Sequence, residues 1–192
     1  MKTGRLEAFS DGVLAIIITI MVLELKPPED TSIEALLETL PIFLSYLVSF
    51  IYVGIYWNSH HHLFKVTEKV NGKILWANLH LLFWLSLIPF ATSWIGENHY
   101  ETLPVVSYGV ILLLSGIAFV ILTKSIANHH GTGTEIHKLT SWGIKEKASL
   151  ILNVLGILLA FINPYIGILC YLSVAGIWFI PSKKFEKHST GK

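Results

Sequence analysis

The sequence predicts an all-α integral membrane protein of six transmembrane helices. Of its 192 residues, 53% are hydrophobic and only 14% are charged, and the mean hydropathy is +0.60. Soluble domains carry about 25% charged residues, so this composition argues against a soluble or a disordered chain. Six apolar segments follow one another along residues 1–192, which predicts a single membrane domain.

The predicted spans are stretches that approach or exceed the roughly 20 residues needed to cross a bilayer. They lie near residues 5–25, 40–63, 75–95, 104–124, 146–163 and 164–180. In the first, the unbroken apolar run from Gly12 to Leu23 reaches only about 18 Å, so the helix must extend back through Asp11 to Arg5. The last two are short and meet at Asn163-Pro164, which predicts a tight turn.

The distribution of charge predicts the orientation of these spans. With six spans, all of the 14 Lys and Arg residues except Lys26 fall on the side that holds both termini. By the positive-inside rule, both termini are expected to be cytoplasmic. A secretory signal peptide is the alternative for the N-terminus, but no small-residue cleavage site follows the first apolar run.

The loop after the first span contains a short amphipathic segment near residues 32–38. Thr31 or Ser32 can cap a helix there, and Ile33, Leu36 and Leu37 share one apolar face. We expect a short helix on the outer surface.

The histidines are the first candidates for chemistry. Consecutive helical residues point about 100° apart, so His60-His61-His62 cannot all bind one metal, and no metal or cofactor is expected. His129-His130 is predicted to lie in a solvated loop. His80 and Asn78 fall within the third span, where polar side chains usually face protein, so a packing role is favoured over a direct role in transport.

Other motifs of catalysis are missing from the sequence. It contains no nucleophile elbow, P-loop or HExxH motif, and the single cysteine, Cys170, excludes an internal disulfide. No enzyme activity is therefore expected. Besides Asp11, the spans hold almost no acidic residue, which argues against a proton-coupled transporter and favours a passive path.

The first span combines a buried charge with an unusual apolar stripe. Asp11 at membrane depth needs hydrogen-bond donors, and the candidates at similar depth are Ser10, Trp57, His60 and Asn78. Ile16, Ile20 and Leu23 form a narrow stripe with Thr19 at its edge, on the side of the helix opposite Asp11. Such a stripe can face lipid, which periodicity alone favours, or a symmetry axis.

Several motifs resemble those of the transmembrane protein 175 potassium channel family. The first span begins with Arg5-x-x-x-Phe9-Ser10-Asp11, which resembles the family's RxxxFSD motif. Trp57-x-x-His60, and Asn78-Leu79 followed by Pro89-Phe90, resemble its patterns on the second and third spans. One such motif is present rather than two, as in the prokaryotic single-repeat branch.

The resemblance implies a homotetramer in the cell membrane, with the first helix of each subunit lining a pore for monovalent cations. The constriction would fall on Ile16, Ile20 and Leu23, and a hydroxyl layer on Thr19. The inter-helix network would comprise Arg5, Phe9, Ser10, Asp11, Trp57, His60 and Asn78. The implied partners are further copies of the chain, the lipid bilayer and permeant potassium ions, with no nucleic acid.

The implied mechanism differs from that of filter-containing potassium channels. The sequence has no Thr-Val-Gly-Tyr-Gly filter, so selection and gating would occur at the apolar ring, where an ion loses water. Two alternatives remain. A membrane redox protein would hold haem between His60 and His80, and a small-solute transporter would share the six-span layout.

Overall fold

The described part of the computed structural model comprises residues 3–67, 69–131 and 143–179, and its regular elements are helices. In chain order they are α1 (Gly4–Leu23), α2 (Ile33–Glu38), α3 (Leu40–Lys65), α4 (Gly72–Ser86), α5 (Ile88–Glu97), α6 (Thr102–His130), α7 (Ile144–Ala160) and α8 (Pro164–Phe179). The prediction of an all-α fold is confirmed.

Four helical stretches are long and apolar enough to span a membrane: Gly4–Leu23, Leu40–Lys65, Gly72–Glu97 and Thr102–His130. They coincide with the first four predicted spans. Helices α7 and α8 occupy the positions of the last two, but their 17 and 16 residues reach only about 25 and 24 Å. Six crossings therefore stay a prediction.

Local chemistry explains where the helices begin and break. The Asn71 side chain caps α4 by accepting from the Ile74 backbone N–H at 3.0 Å. The third span is divided at Leu87 because Pro89, in the first turn of α5, has no N–H to continue the ladder of α4. Asn163 Oδ1 accepts from the Tyr165 N–H at 2.9 Å where α8 begins, after the predicted turn.

Helix α2 begins after Ser32, whose hydroxyl accepts from the Ala35 N–H at 3.1 Å. Hydrogen bonds from the Ser32 side chain and backbone lower the pKa of Asp30. The apolar residues Ile33, Leu36 and Leu37 of α2 are exposed.

The bundle packs around buried aromatic and aliphatic side chains. The Tyr171 ring of α8 fits against Gly109 of α6 and Gly156 of α7, where a Cβ atom would clash with it. The ring of Tyr108 lies 6.1 Å from that of Tyr171, and Tyr108 shares a 3.0 Å hydrogen bond with Ser49 that ties α6 to α3. Helix α1 contacts α3, α4 and α5, so α6 and α8 lie behind the helices that hold α1.

Candidate functional site: the two faces of α1

Helix α1 has one face packed into the bundle and one face that this chain leaves uncovered. The buried residues recur every three or four positions: Leu6, Ser10, Leu14, Ile17 and Met21. On the opposite face, Ile16 is 58% exposed, Ile20 43% and Leu23 77%, and Thr19 is also exposed. The sequence-predicted stripe is thus an exposed and largely apolar surface on the C-terminal part of the helix, from Ile16 to Leu23.

A buried hydrogen-bond chain locks α1 to α3 and α4. Asn78 Nδ2 donates to Ser10 Oγ at 2.9 Å, and Ser10 in turn donates to the Leu6 carbonyl at 2.8 Å. Asn78 Oδ1 lies 2.8 Å from His60 Nε2. Because the Asn78 amide nitrogen is oriented towards Ser10, its oxygen must accept, so His60 carries a proton on Nε2. Three residues of the predicted network, His60, Asn78 and Ser10, are therefore joined by consecutive hydrogen bonds.

Asp11 belongs to a separate contact. Of its four proposed donors, Trp57 reaches it, with Nε1 donating to Asp11 Oδ1 at 3.0 Å, whereas Ser10, His60 and Asn78 bond to one another. Both Asp11 and Trp57 are exposed. The buried face of α1 passes through Ser10, and Asp11 lies at the margin of that face.

The other two motif residues lie near the start of α1. Arg5 is exposed and Phe9 is 53% exposed. Within the described residues neither side chain joins the hydrogen bonds of Ser10, His60 and Asn78. One chain alone therefore assembles only part of the predicted network.

We expect Asp11→Ala to lower the yield and thermal stability of the assembled protein. The substitution removes the acceptor of the Trp57 Nε1–H and leaves that donor unpaired at membrane depth. Size-exclusion elution and detergent thermal unfolding measure the effect, with Trp57→Phe as the matched loss of the donor. Intact assembly combined with altered ion selectivity would instead place the Asp11 charge in the ion path.

His80 points away from the buried chain. It is exposed and accepts from Trp84 Nε1 at 2.9 Å, one turn along α4, whereas Asn78 is buried on the opposite face. The expectation that both polar residues face the interior therefore holds for Asn78 alone. His60 is buried against Asn78 whereas His80 is exposed, so the two do not form the haem-binding pair on which the redox alternative depends.

The histidine pairs His61-His62 and His129-His130 lie at the ends of α3 and α6. His129 and His130 are the last residues of α6 and not part of a loop, which corrects the prediction. His129 Nδ1 lies 3.0 Å from Asn71 Nδ2, and the His61 ring stacks on Trp57 at 6.0 Å. Among the residues that the structure describes, no group of three or more His, Cys, Asp or Glu is placed to hold a metal ion.

A cavity of about 600 Å³ opens beside the C-terminal end of α1, and sequence reasoning missed it. Its lining includes Ile20 and Glu24 together with Phe90, Ser93 and Glu97 of α5. Ser93 Oγ donates to Glu24 Oε2 at 3.1 Å and so anchors the end of α1. Because Glu24 and Ser93 are 69 positions apart, no local pattern in the sequence could reveal this contact.

Comparison with known proteins identifies the family. Residues 5–89 match the family model described as Endosomal/lysosomal potassium channel TMEM175. A potassium channel of Chryseobacterium sp. (strain P1-3) is 58% identical over 187 residues, which covers 97% of each chain. The chain belongs to the TMEM175 family. Members of this family are channels and not enzymes.

The TMEM175 fold is also found in a solved relative. The crystal structure of a lysosomal potassium-selective channel TMEM175 homolog from Chamaesiphon minutus superposes with a TM-score of 0.79 at 29% identity, covering 92% of this chain and 96% of that one. The endosomal/lysosomal proton channel TMEM175 of Mus musculus is 27% identical across 94% of this chain but only 38% of its own length. The segment matched by the TMEM175 model runs from α1 to Pro89 and contains the stripe and the buried chain.

Proposed function

We propose that four copies of the chain form a potassium-permeable cation channel in the cell membrane. Each copy would cross the bilayer six times with both termini in the cytoplasm, and α1 of each copy would line the pore. The channel would need no cofactor, and its ligands would be the permeant ions themselves. Membership of the TMEM175 family, whose relatives are named as potassium channels, supports the ion.

The observation that carries the proposal is the uncovered stripe on α1. Lipid could cover Ile16, Ile20 and Leu23. The other face of α1, however, is fixed by buried hydrogen bonds, and buried polar groups destabilise a protein unless every one of them is paired. A helix that only faces lipid does not need its rotation fixed in this way. One helix cannot enclose a pore, so several copies must place this stripe around a common axis.

Selection and gating would occur where the stripe narrows the pore. Branched aliphatic side chains from four copies leave little space for a hydrated ion and supply no oxygen to replace lost water. The barrier is therefore one of dehydration, which weakly hydrated potassium crosses more easily than sodium. The same ring would close the pore by dewetting.

Thr19 would supply the one polar layer within this ring. Its hydroxyl donates to the Ile16 carbonyl at 2.9 Å, which commits the proton to the backbone. The lone pairs of the Thr19 oxygen remain free to coordinate a passing cation weakly. Four such oxygens beside the apolar ring would lower the barrier for an ion that has shed part of its water.

The function is tested by ion flux in liposomes that contain the purified protein. We expect potassium efflux down a gradient and much slower sodium efflux under the same gradient. Protein-free liposomes and liposomes with a gramicidin-type pore set the lower and upper limits. Equal leakage with and without the protein would overturn the proposal.

We expect the protein to be a homotetramer in mild detergent. Native mass spectrometry should give four times the 21.5 kDa chain mass, plus bound lipid. Monomers or dimers alone, in a preparation that is active in liposomes, would remove α1 as the helix that lines the pore.

A further inference from the structure

The outward face of α4 carries a polar side chain whose hydrogen bonding is incomplete. We define the α4 face as Trp76, His80 and Phe83, all of which are exposed, Trp76 by 73%. Trp84 Nε1 can only donate, so His80 Nε2 accepts and Nδ1 carries the proton. Within the described residues this Nδ1–H has no acceptor. A polar group left without a partner against lipid is costly, which points to protein opposite it.

The outward face of α3 carries a polar residue and a gap. We define the α3 face as Phe50, Gly54, Trp57 and Asn58. Asn58 is exposed, and its side chain makes no hydrogen bond within the part of the chain that the structure describes. A Cβ atom built on Gly54 would meet nothing within 4 Å. This face therefore offers one free acceptor and one open space.

The two faces match in depth. The hydrogen bond between His60 and Asn78 places these two residues at one level of the antiparallel pair α3 and α4. Asn58 and His80 each lie two residues further out, a rise of about 3 Å. Gly54 and Phe83 lie six and five residues further out, about 9 and 7.5 Å. Rotation about an axis along the membrane normal preserves depth, so these pairs stay level between copies.

The α3 face and the α4 face belong to two helices that both pack on α1. Helix α1 contacts both α3 and α4, while α4 also packs on α6 and α3 on α8. If the uncovered stripe of α1 points at the axis, α6 and α8 lie at the back. The faces of α3 and α4 that remain exposed then point sideways, each towards a neighbouring copy.

We propose that the α4 face of one copy packs against the α3 face of the next, with His80 Nδ1–H donating to Asn58 Oδ1 and the Phe83 ring filling the space above Gly54. This contact rests on the proposed tetramer and identifies the surfaces that close it. It is heterologous, so repetition by rotation gives a closed ring. A small residue beneath an aromatic ring and a hydrogen bond across the interface are the usual means of joining helices in a membrane.

Cysteine cross-linking tests the contact directly. In a Cys170→Ser background, the double variant Asn58→Cys with His80→Cys should form oxidised dimers, trimers and tetramers, because each copy then carries both halves of the contact. Each single variant should stay uncrosslinked. The control pairs Asn58→Cys with Leu169→Cys, an exposed position on α8, and should also stay uncrosslinked.

The outcomes separate this contact from the tetramer itself. The wild-type protein could be a tetramer by native mass spectrometry while the double variant Asn58→Cys with His80→Cys forms no cross-linked species. That result overturns the contact but not the proposed channel. A cross-linked dimer in either single variant also overturns it, because the same residue of two copies would then meet at an isologous interface. A wild-type protein that is neither tetrameric nor conductive overturns the proposed function, and this contact with it.

A second variant tests the gap without disturbing the single chain. Gly54→Leu should dissociate the tetramer to folded monomers, because a Cβ atom at this position meets nothing within 4 Å in its own copy, whereas the side chain would occupy the place of Phe83. Gly176→Leu on α8, which is also open, should leave the tetramer intact. Far-ultraviolet circular dichroism reports the helix content of both variants. A stable Gly54→Leu tetramer would contradict the packing.

Discussion

Replacing Ile16 by Asn is expected to raise the potassium current and to weaken the preference for potassium over sodium. The asparagine side chain has as many heavy atoms as that of isoleucine, and it supplies oxygen atoms at the narrowest part of the proposed pore. In the variant, an ion that loses water at this ring can be coordinated by the asparagine oxygen instead, so the dehydration barrier falls. A barrier lower by about 1.4 kcal/mol corresponds to about a tenfold gain in rate, and we expect a gain of that order.

The measurement is the reversal potential in a bilayer with potassium on one side and sodium on the other, together with the current. The matched control is Ile151→Asn on α7, because Ile151 is also 58% exposed but lies far from α1 in the sequence and on a different helix. The control should leave the reversal potential unchanged. An unchanged current and reversal potential for Ile16→Asn would place the stripe against lipid, and the pore would then lie elsewhere.

Thr19→Ala provides a comparison within the same helix. It removes the proposed hydroxyl layer without adding polarity, so selectivity should fall without the gain in current expected of Ile16→Asn. Because the hydroxyl bonds to the backbone of its own helix, the fold should be unaffected.

Replacing Asn78 by Leu is expected to cause the largest loss of stability among single substitutions in the network. Leucine has the same number of side-chain heavy atoms and the same branched shape, so the substitution chiefly removes hydrogen bonds. The His60 Nε2–H would remain buried without an acceptor, and an orphaned buried group costs about 1–3 kcal/mol. Ser10 keeps its bond to the Leu6 carbonyl and contributes less.

Thermal unfolding in detergent measures this effect, and a double variant separates its causes. His60→Leu combined with Asn78→Leu removes both partners, and replacing both by apolar groups is often nearly neutral. The double variant should therefore be more stable than the sum of the two single losses implies. Additive losses would show that the two side chains act independently, and the hydrogen bond between His60 and Asn78 would then contribute nothing to joining α3 to α4.

Much of the fold follows from patterns that are local in the sequence. The length of each apolar run predicts the helices α1, α3 and α6, and Pro89 and Asn163-Pro164 explain the break and the turn. The periodicity of α1 likewise predicts Ile16, Ile20 and Leu23 as one stripe. Local patterns fail at His129-His130, where α6 continues for six residues past the predicted end of its span.

The sequence by itself determined the class of the protein, its family motif and the composition of the α1 stripe, because each depends on neighbours within a few turns of one helix. Only the tertiary structure decided which polar residues pair. In the structure Asn78 forms hydrogen bonds with both Ser10 and His60, and Trp57 donates to Asp11. His80 instead lies on the outward face of α4, where it accepts from Trp84. Pairing depends on how neighbouring helices are rotated and shifted relative to one another, and that is set by packing along their whole length.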